Sequence, residues 1–130
     1  MSLTSRAQGS YPLHARLRVL SAEFITSVLI NTACSSSMYA LDIACMAISR
    51  GECEGAIVGG ANWMLTVDQH MNTAKLGVLS PTSMSHAFDQ DADGYGRAEA
   101  VGALYVKSLS AALRDGNPIR AVIRSVATNA

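Results

Sequence analysis

The sequence predicts an α/β fold built in layers. Three observations predict it. Short apolar or β-branched runs recur at residues 24–30, 55–61, 100–107 and 119–126. Helical spacing or capping signals stand between them, and Gly, Asn, Ser or Pro punctuates the junctions. Such alternation implies helices packed on a sheet.

The elements follow in order. Residues 24–30 (FITSVLI) read as a buried strand. Residues 31–35 form a turn, and Ser35, Ser36 or Ser37 is placed to cap a helix. Met38, Leu41, Cys45 and Ile48 then recur at helical spacing and mark one apolar face. Gly51 fits the position that ends a helix. Residues 55–61 (GAIVGGA) predict a short strand running into a glycine turn, and 67–76 a helix. Residues 77–96 are rich in Gly, Pro, Ser and Asp and read as a long loop; loops of that length are usually functional or disordered. Residues 100–107 (AVGALYVK) form another strand, and 109–114 a short helix stopped by Gly116, Asn117 and Pro118. Residues 119–126 (IRAVIRSV) alternate and predict a last strand.

Composition narrows the class. A chain of 130 residues is enough for one ordinary domain. Its formal net charge is zero, which argues against nucleic-acid or anionic-membrane partners. Charged residues make up 15%, against about 25% in ordinary soluble domains. The shortage implies that a partner subunit, or the rest of a larger domain, covers part of the surface. No apolar run approaches the ~20 residues of a membrane helix. Cys34, Cys45 and Cys53 form neither a C-x-x-C pair nor an even set. That pattern points to a reducing, cytoplasmic compartment rather than a disulfide framework. Residues 1–22 carry Arg6, Arg16 and Arg18, several serines and no acid. Their composition is that of a transit peptide or of a disordered or artefactual leader, and the second reading is preferred.

Cys34 is the main candidate functional residue. It sits where a strand gives way to a helix. Helix N-termini offer unpaired N–H groups and partial positive charge, which favour a thiolate. The competing reading is a small apolar residue beside a cap. Cys45 lies on the apolar helix face and reads as core. Cys53 stands between Glu52 and Glu54, whose charge disfavours its thiolate. Residues 89–94 (DQDADG) open like a calcium loop, but Ala100 stands where that loop needs a bidentate Glu and Gly96 where it is apolar. A turn bonded by its own aspartates is the better reading. His70 and His86 belong to no metal or catalytic motif. VGGA at 58–61 lacks the Lys and further glycines of a phosphate loop and reads as a tight turn.

Four motifs in register carry a resemblance. NTACSSS at 31–37, AIVGGAN at 56–62, LGVLSPT at 76–82 and FDQDADGYGRAEA at 88–100 occur in the order found in β-ketoacyl synthases. The chain resembles the ketosynthase of type I polyketide synthases, over residues 30–130; type I fatty acid synthase ketosynthases are similar. Residues 1–29 do not match and are set apart as a leader. The resemblance implies a partial thiolase-like layered fold. It also implies decarboxylative Claisen condensation. Cys34 falls on the nucleophile, which takes an acyl group from a carrier-protein thioester. The enolate of a malonyl-type thioester then attacks acyl-Cys34, with the Cys34 N–H as one oxyanion donor. The partners implied are an acyl carrier protein bearing phosphopantetheine and a second copy in a homodimer. No cofactor is bound directly, and no metal. Asn31 stands where the family typically has Asp, and R-A-E-A at 97–100 where it commonly has R-G-E-G. The family's two catalytic histidines lie in later motifs, which His70 and His86 do not match. An internal fragment, inactive alone, is therefore expected. Two alternatives stay open: a non-catalytic remnant or interaction module, and a small cysteine hydrolase using His70 or His86.

Overall fold

The structure is a computed structural model, and it describes residues 13–20 and 25–128. The chain divides into two compact units. One holds Leu13–Asn62 and the chain from Glu99 onward; the other holds Trp63–Ala98.

The first unit is built on four strands: β1 Leu13–Leu20, β2 Ile25–Ile30, β3 Gly55–Asn62 and β4 Ala100–Lys107. They lie in the order β2-β1-β3-β4, each antiparallel to its neighbours. β2 and β3 both run against β1, so they are parallel to each other. Helix α1, Ser36–Ser49, is the crossover between them. That β-α-β path is the α/β layering expected from the sequence.

α1 buries Ser36, Ala40, Leu41, Ala44 and Ala47. Ala40, Leu41 and Ala44 pack with Ala56 and Val58 of β3 as the core. The face expected from spacing was Met38, Leu41, Cys45 and Ile48. Leu41 is central to the real one. Cys45 and Ile48 flank it, partly buried, while Met38 is exposed. The seam centres on alanines because small side chains let the helix lie close on the sheet. Gly60 serves the same approach: a Cβ there would stand 3.2 Å from the Ser37 Cβ. VGGA is thus the interior of a strand, and the expected glycine turn is corrected.

The C-terminal ends of the helices before Gly51 and Gly116 follow the chemistry read from sequence. Gly51 has φ 72°. Its N–H donates to the Ile48 carbonyl at 3.1 Å, and the Glu52 N–H to the Ala47 carbonyl at 2.9 Å. These are the two bonds of a Schellman cap. In the second unit, α2 spans Val67–Lys75. After β4, α3 spans Leu109–Arg114 and ends the same way as α1, at Gly116.

Two expectations fail in the first unit. Residues 119–126 form no strand. Alternation is a property of side chains, whereas a strand needs a ladder partner, and this segment has none among the described residues. Val126 still packs against the core. Leu13–Leu20, set apart as leader, is an inner strand bonded on both edges. Residues 25–29 of that leader lie in β2, and the remainder, residues 1–12 and 21–24, falls outside the described residues.

In the second unit α2 is capped by Thr66, whose hydroxyl accepts from the Gln69 N–H at 3.4 Å. The loop that follows is pinned. Ser80 N–H donates to the Tyr95 carbonyl, and Tyr95 N–H to the Val78 carbonyl, each at 3.1 Å. Among the described residues, no helix is long and apolar enough to cross a membrane.

Candidate functional site

β2 delivers the chain into a 3-10 turn, Ala33–Ser35, that leads directly into α1. Ala33 has φ 56°, a left-handed conformation that costs a non-glycine residue about 1–2 kcal/mol. Local hydrogen bonds hold it. The Asn31 Oδ1 accepts from the Ala33 N–H at 3.2 Å. The Thr32 N–H donates to Ser36 Oγ at 2.8 Å, and that hydroxyl donates to the Ala33 carbonyl at 2.6 Å. Ser35 Oγ donates to the Thr32 carbonyl at 2.7 Å. Ser35 and Ser36 therefore bond backward and lock the turn. The N-cap residue, Ser35, makes no side-chain cap bond to α1, which corrects the capping role expected of it.

Cys34 stands in the middle of this turn and is exposed. Among the described residues no acceptor takes its N–H. Beside it lies a cavity of about 390 Å³. The first turns of α1 form one wall, with Ser37, Met38 and Leu41. β3 and β4 form the other, where Gly60 and Gly102 face each other across the ladder. A Cβ at Gly102 would meet nothing within 4 Å. The paired glycines leave room that side chains would fill.

The other thiols differ. Cys45 is partly buried, and burial, aided by Asp42, pushes its thiol above the ordinary range. Cys53 is buried, and burial raises its thiol too, with Glu52 adding to the effect. Like charge was the cause read from sequence; burial is the larger one. Among the described residues lining the Cys34 cavity there is no histidine. His70 is exposed on α2 and His86 is half-buried in the long loop, both in the second unit. Asp89 behaves as the turn reading expected: its Oδ1 accepts from the Asp91 N–H at 3.0 Å. The Ala33 strain has no signature in the sequence, because alanine does not mark left-handed positions as glycine does.

Comparison with known proteins bears on this geometry. A family model described as the N-terminal domain of β-ketoacyl synthases matches residues 26–112. The reducing polyketide synthase DEP5 of Fusarium langsethiae is 67% identical over 103 residues, 79% of this chain and 4% of that protein. The highly reducing polyketide synthase rstn3 of Aspergillus nomiae is 57% identical over 104 residues, again 4% of its length. The chain thus spans about 4% of the length of the curated relatives it matches. Among solved structures, the ketosynthase from module 6 of the Bacillus subtilis 168 bacillaene synthase matches with TM-score 0.66 and 39% identity, over 69% of this chain and 16% of that one. The oxazolomycin ketosynthase domain OzmH KS7 of Streptomyces albus JA3453 matches with TM-score 0.63 and 42% identity, over 68% and 16%.

Proposed function

Because the chain belongs to the β-ketoacyl synthase family, with the thiolase-like fold of its ketosynthase neighbours, we propose that Cys34 is the acyl-accepting nucleophile of a polyketide synthase ketosynthase. The observation that carries this reading is an exposed thiol in a strained turn at the head of α1, beside a cavity walled by α1, β3 and β4. The strained turn presents the sulfur, as in the nucleophile elbow of hydrolases.

The Cys34 thiolate attacks the carbonyl carbon of an acyl thioester. The carbonyl electrons move to oxygen, where the free Cys34 N–H is a ready donor. The carbon–sulfur bond to the donor thiol breaks, and that thiol leaves with a proton. A malonyl-type thioester then loses CO₂, and the electron pair left behind attacks the acyl carbon. The bond to Cys34 breaks, the thiolate returns, and a β-ketoacyl thioester results. The donor and extender would arrive on the phosphopantetheine arm of an acyl carrier protein, in a cytoplasmic homodimer of the complete domain.

The chain by itself acylates but does not condense. Decarboxylation develops negative charge on the thioester oxygen, and no histidine among the described residues lines the cavity to meet it. Losing one such donor costs about 10²–10³ in rate. Mixed with an acyl thioester and a malonyl thioester, the chain should release CO₂ no faster than Cys34→Ala does. Sustained release that Cys34→Ala abolishes would show that groups of this chain suffice for condensation. The alternative of a non-catalytic module has one observation in its favour: large apolar side chains, such as Val101 at 67% exposure, are left open on the sheet.

A further inference from the structure

Two peptide planes flank the strained Ala33 Cα, and they are held differently. The plane between Thr32 and Ala33 is bonded at both ends. Its carbonyl accepts from Ser35 Oγ at 2.7 Å, and its N–H, that of Ala33, donates to Asn31 Oδ1 at 3.2 Å. The plane between Ala33 and Cys34 is bonded at its carbonyl end. There the Ala33 oxygen accepts from the Ser36 N–H and from the Ser36 hydroxyl, the latter at 2.6 Å. Its other end is the Cys34 N–H, which no acceptor takes among the described residues. Ser36 is only 4% exposed, one of the few buried polar side chains. Its hydroxyl accepts from the Thr32 N–H at 2.8 Å, so its single proton is directed to the Ala33 carbonyl.

A peptide unit is planar, and in the trans form its C=O and N–H point opposite ways. Fixing the carbonyl end therefore aims the N–H end. A donor on the carbonyl also polarises the amide, which strengthens its N–H as a donor. We infer that Ser36 is a positioning residue for acyl transfer: through the Ala33–Cys34 peptide it aims and polarises the Cys34 N–H for the oxygen of the incoming acyl group. The inference rests on the reading of Cys34 as the nucleophile. When the thiolate adds to the carbonyl carbon, the carbonyl electron pair moves to oxygen and the Cys34 N–H donates to the oxyanion. The Ser36 proton stays on its own oxygen throughout. Ser36 acts through the backbone, because its hydroxyl is already committed to backbone groups as donor and as acceptor. A donor held in place before the charge develops needs no reorganisation when it does.

The test compares two reactions of the same thiol in the full chain. Acylation by an acetyl thioester develops an oxyanion. Alkylation by iodoacetamide displaces iodide at a saturated carbon and develops none. A change in thiolate fraction or in exposure moves both rates together, so their ratio isolates the oxyanion donor. Both rates at Cys34 are read by peptide mass, and circular dichroism checks each fold. Ser36→Ala should slow acylation by roughly tenfold or more and leave alkylation nearly unchanged. Ser36→Thr, which keeps the hydroxyl, should restore acylation to near the parent rate. Ser36→Cys, close in size but only a weak donor, should fall between, and it carries the test if the alanine variant does not fold. Ser35→Ala, which loses bonds only at Thr32, should slow acylation less than Ser36→Ala. Acylation and alkylation falling together in Ser36→Ala, or folded Ser36→Ala and Ser36→Cys acylating like the parent, would overturn the inference and leave Cys34 as the nucleophile. A parent chain that takes no acyl group at Cys34 would overturn the nucleophile reading and this inference with it.

Discussion

Ala33 carries a φ of 56° in a turn that the neighbouring side chains of Asn31, Ser35 and Ser36 anchor beside its own backbone bonds. Asn31 keeps the acceptor oxygen that an aspartate would bring, so the exchange at this position preserves the bond to the Ala33 N–H. The consequence falls on Cys34, which the turn leaves exposed while Cys45 and Cys53 are drawn toward the core. Limiting iodoacetamide near neutral pH should therefore label Cys34 first, with sites mapped by peptide mass. Burial raises the Cys45 and Cys53 thiols above their ordinary range. Their thiolate fractions at neutral pH are accordingly reduced, and their labelling should climb only as pH rises above that range. Labelling of Cys45 at the rate of Cys34 in the folded chain would contradict this ordering. The identity of Cys34 as the candidate was legible in the sequence. The means of presenting it was not, because serines that look like forward caps bond backward instead.

Two glycines, one in the loop of the second unit and one in β4, do different work. Gly94 in the loop has φ 135° and a backbone neighbour at 2.5 Å from any Cβ. Gly102 in β4 has open space. Gly94→Ala should lower stability by about 1–3 kcal/mol, from left-handed strain together with the clash. Gly102→Ala should stay within about 0.5 kcal/mol of the parent. Urea unfolding of both variants checks the contrast; equal losses would mean that the loop is not packed as described. Elements with their own local chemistry were read correctly. α2, α3 and β4 fall within a residue of their expected bounds, because caps, periodicity and breakers agree there. The failures are elements decided by distant partners. Residues 119–126 alternate but find no ladder. Residues 58–61 look like a turn but extend a strand. Leu13–Leu20 has no strong pattern of its own, yet it is bonded on both edges.

The charge shortage read from composition has a visible counterpart in the first unit. α1 covers the side of the sheet that carries Ala56 and Val58. On the other side, Ile57 lies opposite Tyr105 and Ala61 opposite Val101. Tyr105 is 59% exposed and Val101 67%. Contiguous apolar surface of this kind drives association in water. Light scattering should show the chain self-associating as concentration rises, and Val101→Lys combined with Tyr105→Glu should reduce it; a parent that stays monomeric throughout would contradict the assignment of this face as apolar. The family was legible because four short motifs kept their order along the chain. Acyl transfer to Cys34 can be read by intact mass followed by peptide mapping after exposure to a short acyl thioester. One added acyl group per chain is expected, on Cys34, absent in Cys34→Ala and unchanged in Cys45→Ala. No adduct on a folded chain, or an adduct that persists in Cys34→Ala, would contradict it.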